Sequence, residues 1–278
     1  MLYEQVNIWD DFKGDIKSKA QLKIYLADHS PRISSSLRNP AVLICPGGGY
    51  DFIAEREGEP IALAFLAQGY NAFVLIYDLI PDIKYRQPLF DVSRALCVIR
   101  DKEEQWHTDI DKIAVCGFSA GGHLAASIGV FWQKEYILKA LNIPKGQNKP
   151  NALILCYPVI TSQMGISNRS SFYNLLGKNQ DEKVYEEMSL EKFINKDTPP
   201  AFIWHTFDDR EVHVANALIF AQGMKRNNIP FEMHIFPEGP HGLALCDERT
   251  DNTGYFTNEH VKRWFDLCVD WLKKYAFT

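Results

Sequence analysis

Short apolar runs alternate with longer amphipathic stretches along most of the 278 residues of this chain. The apolar runs, which predict β-strands, lie at residues 22–26, 41–45, 72–76, 113–116, 152–157, 201–205 and 232–236. The stretches with helical periodicity lie at residues 62–66, 92–104, 122–130, 214–224 and 258–274. Strands and helices that alternate in this way connect through right-handed crossovers. The pattern therefore predicts an α/β fold with a mostly parallel central sheet and helices on both faces.

Two segments depart from this regular alternation. Residues 22–26 alternate apolar with polar side chains, which predicts an edge or antiparallel strand. Residues 158–200 are rich in Ser, Asn and Lys and carry only weak helical signals. A long excursion between two core strands is usually functional or disordered, so we interpret it as an insertion that borders the functional site. Without a repeat or a dividing linker, residues 1–278 are predicted to form a single domain.

The stretch 117–121, Gly-Phe-Ser-Ala-Gly, fits the pattern G-x-S-x-G. It lies between an apolar strand-like run and a helix-like run of small residues, as in the strand-to-helix turn that exposes a nucleophilic serine. The glycines leave room for a tight turn, and the following helix directs its N-terminal N–H groups toward the reacting centre. This context predicts Ser119 as the nucleophile of an acyl-transfer reaction.

A base and an acid follow in the chain order that this architecture uses. His241 comes shortly after the last predicted strand, in a loop bracketed by Pro and Gly, and its imidazole can take the serine proton. Asp208 and Asp209 follow the strand that ends at His205. We favour Asp209 as the residue that orients the imidazole, and Asp208 as a turn or capping residue.

The oxyanion donors are expected in a glycine loop that follows the strand 41–45. Gly48 and Gly49 can bring their backbone N–H groups close to a substrate, and the N–H of Ala120, the residue after the serine, completes the set. A glycine-rich loop can also cradle phosphate. The loop carries no G-K-[ST] sequence and its spacing is not G-x-G-x-x-G, which argues against nucleotide binding.

Aromatic and acidic residues at strand ends are candidates for the substrate pocket. Tyr50, Tyr77 and Asp78 occupy such positions, although aromatic residues there are as often part of the core. The remaining histidines near the motifs, His123, His205 and His213, have spacings that favour packing or local hydrogen bonds over metal ligation, so no metal is predicted. Two tryptophans of the last helix, Trp264 and Trp271, lie at helical spacing and are predicted to pack in the core.

The composition of the chain excludes some classes of binding partner. The formal net charge of −5 and the dispersed Lys and Arg residues argue against nucleic acid or an anionic membrane as the main partner. No apolar stretch approaches the ~18 residues of a membrane span. The first residues lack the basic and apolar regions of a secretory signal. The 6 cysteines include no C-x-x-C pair, so we expect reduced core thiols and a cytoplasmic location.

Taken together, four separated segments resemble the α/β-hydrolase superfamily of esterases and lipases, on the acetyl-esterase or acetyl-xylan-esterase-like branch related to hormone-sensitive lipases. The segments that carry the resemblance are residues 46–50, 117–123, 198–209 and 239–242. The resemblance implies an α/β-hydrolase fold, a triad at Ser119, Asp209 and His241, and substrates such as acetylated sugars or xylo-oligosaccharides. The glycine loop begins with Pro46, where many lipase relatives have histidine, which fits the small-ester branch.

The sequence therefore predicts a serine carboxylesterase that hydrolyses short-chain esters through an acyl-enzyme and needs no cofactor. Its predicted partner is a small-molecule ester, with O-acetylated sugars implied by the resemblance, and the sequence leaves open whether the protein forms a homo-oligomer. Two alternatives remain at this stage. One is a peptidase or arylformamidase with the same triad, and the other is a non-catalytic binding protein on a hydrolase fold.

Overall fold

The computed structural model describes residues 1–28, 32, 37–79 and 86–277. Within these residues it contains an eight-stranded sheet with the strand order β1-β2-β4-β3-β5-β6-β7-β8. The strands are β1 (Leu2–Asn7), β2 (Gln21–Leu26), β3 (Asn39–Cys45), β4 (Asn71–Ile76), β5 (Thr108–Phe118), β6 (Ala152–Cys156), β7 (Ala201–Thr206) and β8 (Phe231–Phe236).

Helices separate most of these strands. They are α1 (Glu59–Ala67), α2 (Gln87–Asp101), α3 (Glu103–Trp106), α4 (Ser119–Phe131), α5 (Glu135–Leu141), α6 (Arg169–Leu176), α7 (Glu182–Glu186), α8 (Ala215–Arg226) and α9 (Trp264–Trp271). Short 3₁₀ turns occur at Glu55–Glu57, Leu190–Lys192 and Val261–Arg263, and a π-helical turn, Leu272–Ala276, follows α9. Within the described ranges, no helix is long and apolar enough to cross a membrane.

The sheet is parallel from β4 to β8 and antiparallel at its other end. β1 pairs antiparallel with β2, and β2 pairs antiparallel with β4, whereas every pair from β4–β3 to β7–β8 is parallel. The carboxyl ends of β3, β5, β7 and β8 therefore lie along one edge of the sheet, where ligands bind in open α/β sheets. The predicted mostly parallel α/β-hydrolase architecture is confirmed.

Two apolar cores lie on the two faces of the sheet, and the period of two along β3 divides its side chains between them. Ala41, Leu43 and Cys45 pack in a core that includes residues of α2, α4 and α8. Val42 and Ile44 pack in the other core, which includes residues of α1 and α9. Such strictly alternating burial on both faces explains why the central strands are apolar throughout.

Aromatic packing fastens α9 to the sheet. The indole rings of Trp204, in β7, and Trp264 stack with a centroid distance of 5.2 Å and an interplanar angle of 21°. Trp264 and Trp271 are both buried, so their predicted role in packing is confirmed. All 6 cysteines are buried and none is in a disulfide, as the sequence predicts. The cytoplasmic location stays a prediction.

Two features differ from the sequence-based expectations, whereas the antiparallel alternative predicted for residues 22–26 is confirmed. The periodicity missed β1, because its residues are mostly exposed and it is held by backbone pairing with β2. β1, not β2, is the edge strand at this end of the sheet. The helix predicted over residues 258–274 is divided into a 3₁₀ turn, α9 and a π-helical turn.

The excursion between β6 and β7 contains α6 and α7. Phe172 and Leu176 of α6 and Leu190 of the following 3₁₀ turn are buried in the same core as α2, α4 and α8. The excursion is therefore anchored to the body of the protein on that face of the sheet. That it is an insertion within a single domain stays a prediction.

Candidate active site

Ser119 stands at the junction of β5 and α4 with a strained backbone. Its φ is 53°, in the left-handed region that residues other than Gly, Asn and Asp rarely adopt. The turn fits only because its neighbours are small. A Cβ on Gly121 would lie 2.0 Å from the carbonyl oxygen of Cys45, and one on Gly117 would lie 2.1 Å from that of Gly121. The elbow is therefore packed directly against the end of β3.

The three predicted catalytic side chains meet at the carboxyl edge of the sheet. His241 Nε2 lies 2.7 Å from Ser119 Oγ, and His241 Nδ1 lies 2.7 Å from Asp209 Oδ2. Since Oδ2 of an ionised carboxylate can only accept, Nδ1 donates to it, which leaves Nε2 free to accept the serine proton. The histidine side chain is 10% exposed and that of Asp209 is 0% exposed. The arrangement is thus assembled and largely shielded from solvent.

Asp209 is held as an ionised acceptor. Its Oδ1 accepts the backbone N–H groups of Glu211 and Val212 at 2.9 and 3.0 Å, and its Oδ2 lies 3.2 Å from His205 Nε2. Burial alone raises the pKa of Asp209, but the hydrogen bonds from His205 and His241 outweigh it and the net pKa lies below the ordinary value. The carboxylate therefore stays charged beside the imidazole.

The opposite balance applies to His241. Burial lowers the pKa of its imidazole, but the hydrogen bond and the negative charge of Asp209 outweigh burial, so the net pKa is raised.

The carboxylate next to Asp209 in the chain, Asp208, does not contact the imidazole. Its Oδ1 accepts the backbone N–H of Gly239 at 2.8 Å, which ties the loop after β7 to the loop that carries His241. Of the two candidate acids, the structure brings Asp209 and not Asp208 to the imidazole.

The glycine loop after β3 lies beside the serine. Gly48, Gly49 and Tyr50 all have positive φ, of 117°, 63° and 61°. The N–H groups of Gly48 and Gly49 have no hydrogen-bond partner among the described residues, whereas that of Gly47 donates to Glu57. The N–H of Ala120 belongs to the first turn of α4, where backbone donors have no partner within the helix. Three unused donors thus lie near Ser119.

A cavity of about 440 Å³ with a mixed polar and apolar lining opens at Ser119 and His241. Its lining includes α6 and the residue that caps it. Asn168 accepts the Ser171 N–H at 3.1 Å, and Asn174 Nδ2 donates to the carbonyl oxygen of Gly49 at 2.9 Å. The lining also includes Phe52, Arg56, Glu57, Ser170 and Phe256. Amide and hydroxyl groups therefore dominate one part of this cavity.

The candidate pocket residues lie elsewhere. The cavity at Ser119 is not lined by Tyr50, Tyr77 or Asp78, which differs from the expectation. The hydroxyl of Tyr77 donates to the carbonyl oxygen of Pro46 at 2.7 Å, and Asp78 accepts the N–H of Lys19 at 3.0 Å. These two residues thus support the glycine loop and the chain beside β4. They do not line the cavity, because they follow a strand whose end is covered by other segments.

Tyr50 belongs to a second, mainly apolar cavity of about 370 Å³, which it lines together with His123. The Tyr50 hydroxyl lies 2.9 Å from His123 Nδ1, and His123 Nε2 lies 3.1 Å from the carbonyl oxygen of Met188. Burial lowers the pKa of His123 to about 4, so the ring is neutral near pH 7. In the described part of the chain, no group of three or more His, Cys, Asp or Glu side chains is placed to hold a metal ion.

Sequence reasoning missed two buried residues next to the site. Glu57 lines the cavity and accepts hydrogen bonds from the Gly47 N–H and the Tyr157 hydroxyl. The ring of Tyr157 lies 5.0 Å from that of His241. Glu57 sits in the charged run Glu-Arg-Glu-Gly, which is typical of a solvated turn, and Tyr157 only extended an apolar strand. The one available signal was the position of Tyr157 at the carboxyl end of the predicted strand 152–157.

Comparison with known proteins places the chain in a family. The BD-FAE family model matches residues 22–224. The chain belongs to the BD-FAE family. The match includes Ser119 and Asp209, whereas His241 lies beyond it. Membership of the BD-FAE family agrees with the esterase resemblance predicted from the sequence.

Curated proteins similar to this BD-FAE chain are longer than it. Endo-1,4-beta-xylanase B of Butyrivibrio fibrisolvens is 36% identical over 220 residues, which cover 77% of this chain and 34% of that protein. An acetylxylan esterase of Xylanibacter ruminicola is 30% identical over 245 residues, which cover 86% of this chain and 46% of that protein. The chain thus spans less than half of each of these relatives.

Solved structures match the BD-FAE chain along its length. An acetyl ester-xyloside bifunctional hydrolase from Caldicellulosiruptor lactoaceticus has a TM-score of 0.83 and 34% identity, covering 99% of this chain and 97% of that one. The carboxylesterase Cest-2923 from Lactobacillus plantarum has a TM-score of 0.85 and 25% identity, covering 100% and 98%. These comparisons confirm the predicted fold and family, and they agree with the predicted enzyme class, carboxylic ester hydrolase.

Proposed function

We propose that the protein is a serine carboxylesterase that releases short acyl groups through an acyl-enzyme. The observation that carries the proposal is the position of His241, whose two ring nitrogens each lie 2.7 Å from a partner, Ser119 Oγ on one side and Asp209 Oδ2 on the other. A nucleophile, a base and an orienting acid within hydrogen-bond distance are the requirement for acyl transfer.

The reaction follows from these contacts. Ser119 Oγ attacks the ester carbonyl while His241 Nε2 takes the hydroxyl proton, and the imidazolium then gives that proton to the departing alcohol. Asp209 holds the ring orientation and stabilises the imidazolium charge. In the second half, His241 takes a proton from water, whose oxygen attacks the acyl-enzyme, and the acid leaves as Ser119 regains its proton. No step uses a cofactor.

The oxyanion of each tetrahedral intermediate is proposed to bind the N–H groups of Gly48, Gly49 and Ala120. The support is that these donors are unused by the described residues and that Gly48 and Gly49 line the cavity at Ser119. A donor of this kind is typically worth about 3–4 kcal/mol of transition-state stabilisation. The donor of Gly47 is excluded from this role because Glu57 already accepts it.

The proposed alcohol part of the substrate is a sugar, with acetyl as the acyl group. The names of the acetylxylan esterase relative and of the acetyl ester-xyloside hydrolase support this choice. The cavity supports it independently, because Ser170 and Asn174 offer polar groups for sugar hydroxyls in a cavity that the exposed ring of Phe52 also lines.

Substitution of the serine tests the reaction. Ser119→Ala is expected to lower kcat for p-nitrophenyl acetate by about 10⁴–10⁶. Ser127→Ala is the matched control, because it removes a buried hydroxyl from the same helix outside the proposed machinery. A fluorophosphonate should label the parent and the control but not the Ser119 variant. Folded parent protein that takes up no label would instead support a non-catalytic binding protein.

A hydrolysis panel tests the substrate. Acetylated xylose and xylobiose should be hydrolysed faster than p-nitrophenyl esters of long acyl chains, and esters faster than the matching peptide or aryl formamide bonds. Activity confined to long acyl chains would contradict the choice of acetyl, and a clear preference for amides would favour the peptidase or arylformamidase alternative.

A further inference from the structure

A buried carboxyl group lies at the cavity that contains Ser119. Glu57 is 3% exposed, although its neighbours Glu55 and Glu59 are exposed to solvent. A buried carboxyl group costs free energy unless it is hydrogen-bonded, so its placement calls for specific partners. Glu57 has two, one for each carboxyl oxygen.

The first partner is the glycine loop. Glu57 Oε2 accepts the backbone N–H of Gly47 at 2.7 Å. A Cβ on Gly47 would lie 2.7 Å from Glu57 Oε2 and 2.9 Å from Ser119 Cβ, so the backbone of Gly47 is wedged between the carboxyl group and the serine. The proposed oxyanion donors Gly48 and Gly49 follow directly. The carboxyl group thereby fixes the position at which this loop passes the serine.

The second partner leads to the histidine. The Tyr157 hydroxyl donates a hydrogen bond to Glu57 Oε1, with the two oxygens 2.8 Å apart. The same hydroxyl oxygen accepts a hydrogen bond from the backbone N–H of Ala244 at 3.0 Å. The Tyr157 ring also meets the His241 ring at 70°, with centroids 5.0 Å apart. Burial raises the pKa of Tyr157 well above its ordinary value, so its hydroxyl remains a donor. The loop that carries His241 is therefore tied to Glu57 through one side chain.

We propose that Glu57 is a positioning residue of the esterase. Its carboxyl group holds the glycine loop on one side and, through Tyr157, the His241 loop on the other, so that both keep their distances to Ser119. This inference rests on the proposed function. Groups that must be held within fractions of an ångström of their productive geometry lose rate when such a support is removed.

Glu57 also acts on His241 through its charge. The carboxylates that raise the pKa of His241 are Asp209, Glu57 and Glu211, in opposition to burial, which lowers it. Asp208, on the loop beside Asp209, faces the N–H of Gly239 rather than the imidazole. Burial raises the pKa of Glu57 itself, against the hydrogen bonds from Tyr157 and Gly47. Removal of the Glu57 charge should therefore lower the pKa of His241.

The test compares Glu57→Gln with Glu59→Gln, the same change two residues away at an exposed carboxylate that accepts a hydrogen bond from the Tyr25 hydroxyl. Rates are divided by the concentration of sites that a fluorophosphonate titrates, so that unfolded protein does not count. Glu57→Gln should lower kcat for p-nitrophenyl acetate by about tenfold or more while KM changes less than about threefold. The acid limb of kcat/KM should move to lower pH. Glu59→Gln should match the parent in all three readouts.

Tyr157→Phe provides the second variant. It breaks the link to the His241 loop but leaves the hydrogen bond from Gly47 to Glu57. In the double variant with Glu57→Gln, the fold-decrease in kcat should be smaller than the product of the two single decreases. It replaces Glu57→Gln if that variant does not fold, with the same fall in kcat expected. Unchanged kcat per titrated site and an unmoved acid limb would overturn the inference, since a merely structural role changes only the fraction of folded protein.

The kinetics of Ser119→Ala distinguish a failure of the proposed function from a failure of the proposed role of Glu57. If Ser119→Ala hydrolysed the ester as fast as the parent, the esterase assignment itself would fall. If Ser119→Ala were inactive and Glu57→Gln matched the parent, only the role of Glu57 would fall.

Discussion

Asp208 Oδ1 accepts the N–H of Gly239 at 2.8 Å, while the next residue along the chain, Asp209, accepts the imidazole N–H of His241. The two adjacent carboxylates thus hold the same loop in two ways, one through its backbone and the other through its side chain. Asp208 is an exposed residue, whereas the side chain of Asp209 is 0% exposed, so activity should depend differently on the charges of the two carboxylates.

Replacement of each carboxylate by the matching amide separates these tasks. Asp209→Asn should lower kcat by about 10⁴, because the amide favours the wrong imidazole tautomer. Asp208→Asn should stay within a few-fold of the parent, because its amide oxygen can still accept the Gly239 N–H. Steady-state rates on p-nitrophenyl acetate check both, and equal losses in the two variants would contradict the assignment of the acid.

The activity should depend on pH through His241. Its imidazole must be neutral to accept the serine proton, so activity is lost as pH falls through its pKa. Since Asp209 raises that pKa against burial, the midpoint of the acid limb of kcat/KM should lie above about 6.5, the ordinary value for histidine. A pH profile of kcat/KM provides the measurement, and a midpoint below the ordinary value would show that burial dominates instead.

Replacement of two glycines of α4 by alanine should change the free energy of unfolding by different amounts. A Cβ on Gly121 would meet the carbonyl oxygens of Cys45 and Pro46 at 2.0 and 2.4 Å, which the sheet holds in place. Gly121→Ala should therefore destabilise the protein by about 3 kcal/mol or more and slow labelling of Ser119. The atoms nearest to a Cβ on Gly129 belong to the side chain of Leu153, the first at 2.5 Å, and not to the backbone.

Gly129→Ala is therefore the matched control, and we expect its free energy of unfolding to stay within about 1 kcal/mol of the parent. Urea unfolding measures the stability of both variants, and a fluorophosphonate measures the labelling rate. Similar stability of the two variants would argue against the close approach of α4 to β3.

Asn174 connects α6 to the glycine loop. Its Nδ2 donates to the carbonyl oxygen of Gly49 at 2.9 Å, and its side chain lines the cavity. Asn174→Asp should lower kcat about tenfold or more, because a carboxylate in place of the donor would repel that carbonyl oxygen and displace the loop. Ser170→Ala, in the same helix and cavity, should alter kcat for p-nitrophenyl acetate little, since its hydroxyl donates to Asn168 and that substrate carries no sugar. Kinetics on p-nitrophenyl acetate compare the two variants.

The residues that meet at the site differ in how visible they are in the sequence. Ser119, Asp209 and His241 each follow a strong strand signal and belong to motifs whose spacing reflects a local turn, so local patterns sufficed. Glu57 and Tyr157 are brought together by the sheet from positions 100 residues apart. No local pattern distinguishes a buried glutamate in a charged turn from its exposed neighbours.

The differences in the fold have a similar physical cause. The central strands are buried on both faces and stand out as apolar runs, whereas β1 depends on backbone pairing that periodicity does not record. Tyr77 and Asp78 follow a strand at the predicted edge, but neighbouring segments cover that strand end and take up their polar groups. Position at a strand end indicates the correct edge of the sheet without indicating which side chains reach the cavity.

The burial of every cysteine gives the protein a practical property. Because none of the 6 native thiols is exposed, a cysteine introduced at the surface would react with a maleimide dye against little background. Ser170 is exposed and lies at the cavity, so a dye attached there would sense the entry of a sugar directly. Binding could then be followed by fluorescence in the inactive Ser119→Ala background, where substrate stays intact.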